Sequence, residues 1–217
     1  MTRFLDRVAD AGGILHVLLA FGGFAVLVAP HLPPSLEAAD VVVAHLRAHP
    51  PATGFWAGMW LEGAGLAVLV LLATRAAARL RSVQPDWWLP SAVVGMAVAA
   101  FAVKVASFAP GLAALEIDRF DAGTVTALLS VNDAAVGVAR ALDGAFVVLL
   151  GLGALAVGGL PRWLAAATVA VGVAVLAATA VPSLGLLDLL FYLWLPVLSG
   201  WLLLRGSRTV REPSTAG

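Results

Sequence analysis

Cysteine is missing from all 217 residues. That absence excludes disulfides, a thiolate nucleophile, cysteine-ligated iron–sulfur clusters or zinc, and thioether-attached haem. Charge is scarce as well: Asp, Glu, Lys and Arg make up 12% of the chain and balance to a net charge of zero. Soluble domains carry about twice that share. The chain therefore lacks the polar surface that water would demand, and it has no basic stripe, so nucleic acid is not expected as a partner. No acidic tail or low-complexity run offers an interaction arm. Familiar catalytic signatures are missing too: there is no GxSxG, no HExxH, no phosphate-binding glycine loop and no nucleotide motif. No cofactor is expected.

What fills the chain instead is apolar: 61% of residues are hydrophobic and the mean hydropathy is +0.98. Six runs approach the roughly 20 residues that a helix needs to cross a hydrocarbon core of about 30 Å. They cover about 12–30, 54–74, 88–109, 132–157, 163–181 and 184–204. The expected architecture is all-α, a polytopic membrane helix bundle of six transmembrane helices forming one domain, with the lipid bilayer as its partner. Oligomeric state is not encoded in any feature of the chain. The first run is too long for a signal-peptide h-region, and Pro30, His31 and Pro33 follow where small residues would be cleaved, so it reads as a true span.

Arginine placement sets the expected orientation. Arg3 and Arg7 precede the first span, Arg75, Arg79 and Arg81 follow the second, Arg162 joins the fourth to the fifth, and Arg205, Arg208 and Arg211 follow the sixth. Only Arg47 and Arg119 fall in loops on the other side, which places both termini in the cytoplasm. Trp87, Trp88, Trp163 and Trp201 fall at the cytoplasmic ends and Trp56 near an outer end, as an aromatic belt would. The two longer outer loops carry sparse helical patterns (Leu36, Ala39, Val43, Leu46; and Leu112, Leu115, Phe120), which read as helices lying on the outer leaflet. Gly54 with Gly58, and the Gly22–Gly23 pair, would let helices approach closely.

Five ionisable residues interrupt the apolar runs: Glu62, Lys104, Arg140, Asp143 and Asp188. A charge at bilayer depth costs several kcal/mol unless it is paired, solvated or neutral, which marks each as a functional candidate. At 1.5 Å per residue, Glu62 stands roughly 20 Å above Arg75, Asp188 roughly 25 Å above Arg205 and Lys104 roughly 24 Å above Trp88. Arg140 and Asp143 also fall in the outer half, with Asn132 and Asp133 at its interface, whereas His16 alone among ionisable residues falls in the inner half. A polar cavity open to the outside accounts for that asymmetry. On the fourth span Asp133, Arg140 and Asp143 share one face, where Arg140 could hold a carboxylate bidentately. The plain alternative is that Arg140 and Lys104 merely staple helices together, and that Asp188 reaches toward the outer water.

Counting charges separates these readings. Glu62, Asp143 and Asp188 outnumber Lys104 and Arg140 by one, so one carboxyl, Glu62 or Asp143, is expected to keep its proton at neutral pH, the state that a general acid or a proton carrier needs. A faint repeat, Leu61-Glu62-Gly63-Ala64 against Leu142-Asp143-Gly144-Ala145, would make those two acids equivalent. His31, His45 and His49, with Glu37 and Asp40, are a weak zinc motif, because Pro50 and Pro51 end the helix that would present them; no metal is expected. His16 has no histidine partner at its depth, which disfavours bis-histidine haem and favours a packed, hydrogen-bonded core histidine. Aromatic Trp60, Tyr192 and Trp194 either line the cavity or simply pack.

Pro161-Arg162-Trp163-Leu164, the acid Glu62, the polar Asn132-Asp133 and the closing Leu202-Leu203-Leu204-Arg205-Gly206 together resemble an uncharacterised family of bacterial six-span integral membrane proteins, a domain of unknown function. The similarity covers most of the chain. It implies the six-span architecture and the bacterial cytoplasmic membrane, and no activity. Some members of that family carry an Arg at the position of Asn132 and an Arg and a Glu in the third span, where this chain has only Lys104.

The expected function is binding, or acid/base transformation such as isomerisation or cyclisation, of a small lipophilic molecule reaching the cavity from the outer leaflet. Glu62 or Asp143 would be the acid, and Arg140 and Lys104 would hold the partner carboxylate or an anionic ligand group. Asp188 completes the catalytic set, while Trp60, Asn132, Asp133 and Tyr192 are candidate ligand contacts. The alternatives are a proton-coupled small-molecule transporter using the same acids, and a membrane sensor or regulator, which the short inner loops disfavour.

Overall fold

The computed structural model describes residues 2–33 and 38–206. Among them the chain is helical throughout, without a strand. Six helices are long and apolar enough to cross a membrane: Gly12–His31, Thr53–Val83, Leu89–Ala114, Ala122–Val157, Arg162–Ala180 and Ser183–Arg205. Large apolar side chains on these spans, among them Leu18, Val26, Val173, Leu193 and Leu204, are more than half exposed, an arrangement that a lipid surround satisfies and water would not.

A short amphipathic helix, α1 (Thr2–Asp10), leads into the first span. That span begins as α2 (Gly12–His16) and then widens into two π-wound turns, Val17–Phe21 and Phe24–Val28, before a tight turn at Ala29–His31. The next elements are α3 (Ala39–Ala48), α4 (Thr53–Val83), α5 (Leu89–Ala114), α6 (Ala122–Val157), α7 (Arg162–Ala180) and α8 (Leu189–Gly206). A 3-10 segment, Pro182–Asp188, feeds α8. The spans pack as a closed ring: α2 lies between α8 and α4, α4 meets α5, α5 meets α6, α6 meets α7, and α7 returns to α8.

Glycine sets two of the closest approaches. A Cβ on Gly58 would come within 3.2 Å of the Gly23 carbonyl and 2.8 Å of Leu27 and Val28, so the first span seats directly on α4. Gly144 on α6 and Gly172 on α7 block one another in the same way. The expectation for Gly22 and Gly54 is not met: Gly22 meets only its own span and Gly54 makes one ordinary contact with Leu27.

Toward the end of the bundle that carries Arg75, Arg79, Arg162 and Arg205, the ring is packed solid. Leu72, Leu80, Phe146, Leu150, Leu164, Leu195, Leu198 and Leu202 are all fully buried there. Arg75 closes this end onto α1, with Nε donating to Asp10 at 2.9 Å and a second contact to Asp6 at 3.3 Å.

The opposite end differs from the sequence expectation in one respect. The first long loop does hold a helix, α3, but the second does not: α5 runs to Ala114, a turn follows, and α6 starts at Ala122, ten residues before the expected span. Asp121 caps α6, accepting from Thr124 N–H at 3.0 Å and from the Thr124 hydroxyl at 2.8 Å. The apolar residues of the extension are covered by α3, whose Val42, Val43 and Leu46 pack with Ala114 and Val125. Leu36 of the expected loop pattern, and Glu37, Arg208 and Arg211, lie outside the described residues.

Candidate functional site

Within the α3 end of the ring lies a cavity of about 470 Å³. Its wall is drawn from the first span, α4, α5, α6 and the start of α8, and it gathers Glu62, Lys104, Arg140, Asp143 and Asp188 together with Asn132, Asp133 and Tyr192. All five intramembrane charges therefore face one space. Trp60 does not join them. Two residues before Glu62, it points about 200° around the helix from it, and it is 81% exposed on the outer face of α4. Trp194 is also away from the cavity, buried in the core with its indole N–H donating to the Thr168 hydroxyl at 3.0 Å.

The charges pair across helices. Lys104 Nζ on α5 lies 3.0 Å from Glu62 Oε1 on α4, with both side chains largely buried. Arg140 on α6 reaches Asp188 Oδ2 at the foot of α8, at 3.2 Å. Thus the expected ladder along α6 is not the pairing formed, and Arg140 meets its carboxylate through one contact, not bidentately. Asp143 is left over. Its Oδ1 is sealed from solvent and has no hydrogen-bond partner among the described residues, and the same holds for Asp188 Oδ1. Beside them a recess of about 20 Å³, lined by Arg140, Asp143, Val175, Asp188, Phe191 and Tyr192, is large enough for one water molecule. Asn132 Nδ2 donates to Asp133 Oδ1 at 3.2 Å.

His16 belongs to this wall as well. It is buried, with Nδ1 at 2.9 Å from the Gly65 carbonyl, so the core, hydrogen-bonded histidine expected from the sequence is what forms. Yet it lines the cavity that holds Glu62 and Asp143, and is not segregated in the other half. A lone histidine gave no reason to place it there; the signal was Gly65, one turn beyond Glu62, where a Cβ would strike Ala20 N at 2.7 Å and hold the spans apart. The His16 ring stacks on Tyr192, with centroids 6.1 Å apart and planes 6° from parallel. Phe21 and Phe191 contact the same Tyr192 at 5.0 Å and 5.6 Å, so one side of the cavity is an aromatic wall. Both Ala20 and Phe21 sit in a π-wound turn and Phe24 opens the next, so the wide winding of the first span shapes this side.

The other constellations do not converge. His45 and His49 stack 4.3 Å apart, and His31 Nδ1 and His49 Nδ1 lie within 3.4 Å and 3.1 Å of backbone carbonyls. Among the described residues no group of three or more metal-ligating side chains forms. The two halves of the Glu62/Asp143 repeat also differ in packing, since Gly63 faces open space while Gly144 is jammed against Gly172 and Leu176.

No protein-family model, no curated protein and no solved structure matches the chain. The chemistry of the site is accordingly argued from its own geometry.

Proposed function

We propose that this membrane protein binds a small lipophilic molecule in its cavity and exchanges a proton with it through Asp143. The single observation that supports this reading is the leftover carboxyl: Lys104 and Arg140 are each taken by another acid, and Asp143 lies unpaired on the wall of a space of ligand size. An acid so placed can protonate a bound double bond or leaving group, as an isomerisation or cyclisation requires. His16, whose Nδ1 is committed to the Gly65 carbonyl, offers its second ring nitrogen as an acceptor on the same wall. In this reading the arginine-rich end faces the cytoplasm, as the positive-inside rule directs, and the cavity draws its ligand from the outer leaflet of a bacterial cytoplasmic membrane. The resemblance to the six-span bacterial family contributes architecture to this reading and no activity.

Proton-coupled transport would use the same acid, but it needs a path through the other half of the bundle, and there the ring is closed by fully buried leucines. Native mass spectrometry of the purified full chain tests the proposal. A co-purifying small lipophilic species is expected in the wild type and depleted in Val136→Trp, which fills the cavity. Equal retention in that variant would place the species on the lipid-facing surface and overturn the reading. Uptake into proteoliposomes driven by a pH gradient and lost in Asp143→Asn would replace it with transport.

A further inference from the structure

We infer that the ligand of this cavity is an organic cation, a protonated amine or quaternary ammonium on an apolar tail. The inference rests on the cavity being a ligand site and narrows what it takes. Among the described residues four carboxyls line the space, Glu62, Asp133, Asp143 and Asp188, against the basic side chains of Lys104 and Arg140. Both cations already sit within 3.2 Å of a carboxylate oxygen. An anionic ligand at Lys104 would have to displace Glu62 and strand a largely buried carboxylate, and at the half-exposed Arg140 it would have to share the guanidinium with Asp188. A cationic ligand disturbs neither pair and meets the two acids of the wall that close no ion pair among the described residues, Asp143 within the cavity and Asp133, which is exposed.

The aromatic wall points the same way. Tyr192, flanked by Phe21, Phe191 and His16, offers π faces beside Asp143, and ammonium groups are held by such faces in desolvated sites. The apolar remainder of the lining, Leu66, Val136, Leu186 and Leu189, suits an alkyl tail. Charge balance supplies a mechanism. When an ammonium enters, the Asp143 O–H bond breaks, its electron pair stays on the carboxylate and the proton leaves to bulk water, so one positive charge replaces another and Asp143 meets the bound molecule as the base of the acid/base pair. The groups facing Asp143 during this exchange are Arg140 on its own helix, Asp188 and Tyr192 on the α8 side, Lys104, Glu62 and His16.

The test uses the full chain in maltoside micelles with three probes of equal tail length: dodecyltrimethylammonium, dodecyl sulfate and dodecanol. Native mass spectrometry is expected to show the ammonium bound in a 1:1 complex with at least about a tenfold preference over the others, equivalent to about 1.4 kcal/mol. Calorimetry in buffers of differing ionisation heat is expected to show about one proton released per ammonium in the wild type and none in Asp143→Asn. Asp133→Asn, at an exposed position, is expected to weaken ammonium binding a few-fold through lost charge attraction. Equal or tighter binding of the sulfate or the alcohol overturns the cation inference while leaving the cavity as a ligand site. Binding of none of the three overturns both. Repeating the measurement in phosphatidylglycerol nanodiscs with and without phosphatidylethanolamine separates sources. Displacement of the probe by phosphatidylethanolamine identifies a lipid headgroup, and persistence of the probe identifies a free amine; each supports the ammonium chemistry.

Discussion

Lys104 and Glu62 close an ion pair of 3.0 Å between α5 and α4, and in doing so they leave Asp143, not Glu62, as the buried carboxyl outside the ion pairs of the described residues. This one contact decides between the two acids that charge counting alone left equivalent. It also makes a prediction about stability. Lys104→Met strands a largely buried carboxylate and is expected to cost about 3 kcal/mol, whereas adding Glu62→Gln to it restores much of the loss. Thermal or denaturant unfolding in micelles reads the coupling; strictly additive effects would mean the pair contributes nothing.

Gly65 and Gly63, two residues apart on α4, are expected to respond in opposite directions to alanine. Gly65→Ala drives a Cβ into Ala20 N at 2.7 Å, separates the first span from α4 and removes the acceptor geometry of His16. Its cost is about 1–3 kcal/mol. A Cβ added at Gly63 meets open space, so Gly63→Ala gains helix propensity of about 1 kcal/mol. Comparing the two unfolding midpoints checks the seating of the first span.

The α3 end carries a pH dependence of its own. Two hydrogen bonds from Thr124, first its backbone N–H and then its hydroxyl, hold the Asp121 carboxyl below the usual carboxylate range. A depressed folded value means that the cap stabilises α6 fully above the ordinary carboxylate range and loses that contribution as pH falls through the lowered value. Hydrogen exchange of the first-turn amides of α6 is expected to accelerate at acid pH in the wild type. Asp121→Ala is expected to show the faster rate already at neutral pH.

Much of the architecture was legible because a bilayer imposes length and apolarity on each span, and those constraints are written residue by residue. The start of α6 was not, because Thr124, Thr126 and Ser130 make its first turns look like loop; only Asp121 as a cap and the cover supplied by α3 make a helix there. The five charges stood out for the same reason that the spans did, as costly exceptions in apolar runs. Their partners could not be read, since which helices touch is a property of the ring and not of any one segment. Arg140 turned to Asp188 on another helix and not to Asp143 three residues on. The aromatic character of Trp60 suggests a cavity contact, but its two-residue offset from Glu62 puts the two on different faces of α4, and Trp60 is exposed on the outside. The sequence marks His16 as a core residue but gives no sign of its place in the site, because its route to the cavity runs through the close contact at Gly65.

A shape prediction concerns the aromatic wall. Tyr192→Ala opens the space beside Asp143 and removes the ring on which His16 stacks. Ligand affinity is expected to fall by about tenfold, corresponding to about 1.4 kcal/mol, while Tyr192→Phe keeps the face and most of the affinity. A phenylalanine variant as weak as the alanine one would assign the contribution to the hydroxyl instead.

Asp143, the buried carboxyl outside both ion pairs, is expected to hold a proton at neutral pH. Infrared spectroscopy of the purified protein, stripped of bound ligand by exchange into maltoside micelles, reads this at neutral pH from the carbonyl stretch of a protonated carboxylic acid. The band is expected in the wild type, retained in Glu62→Gln and absent in Asp143→Asn. A band that survives Asp143→Asn, or disappears with Glu62→Gln, would show that the proton sits elsewhere and that Asp143 is not the acid of the cavity.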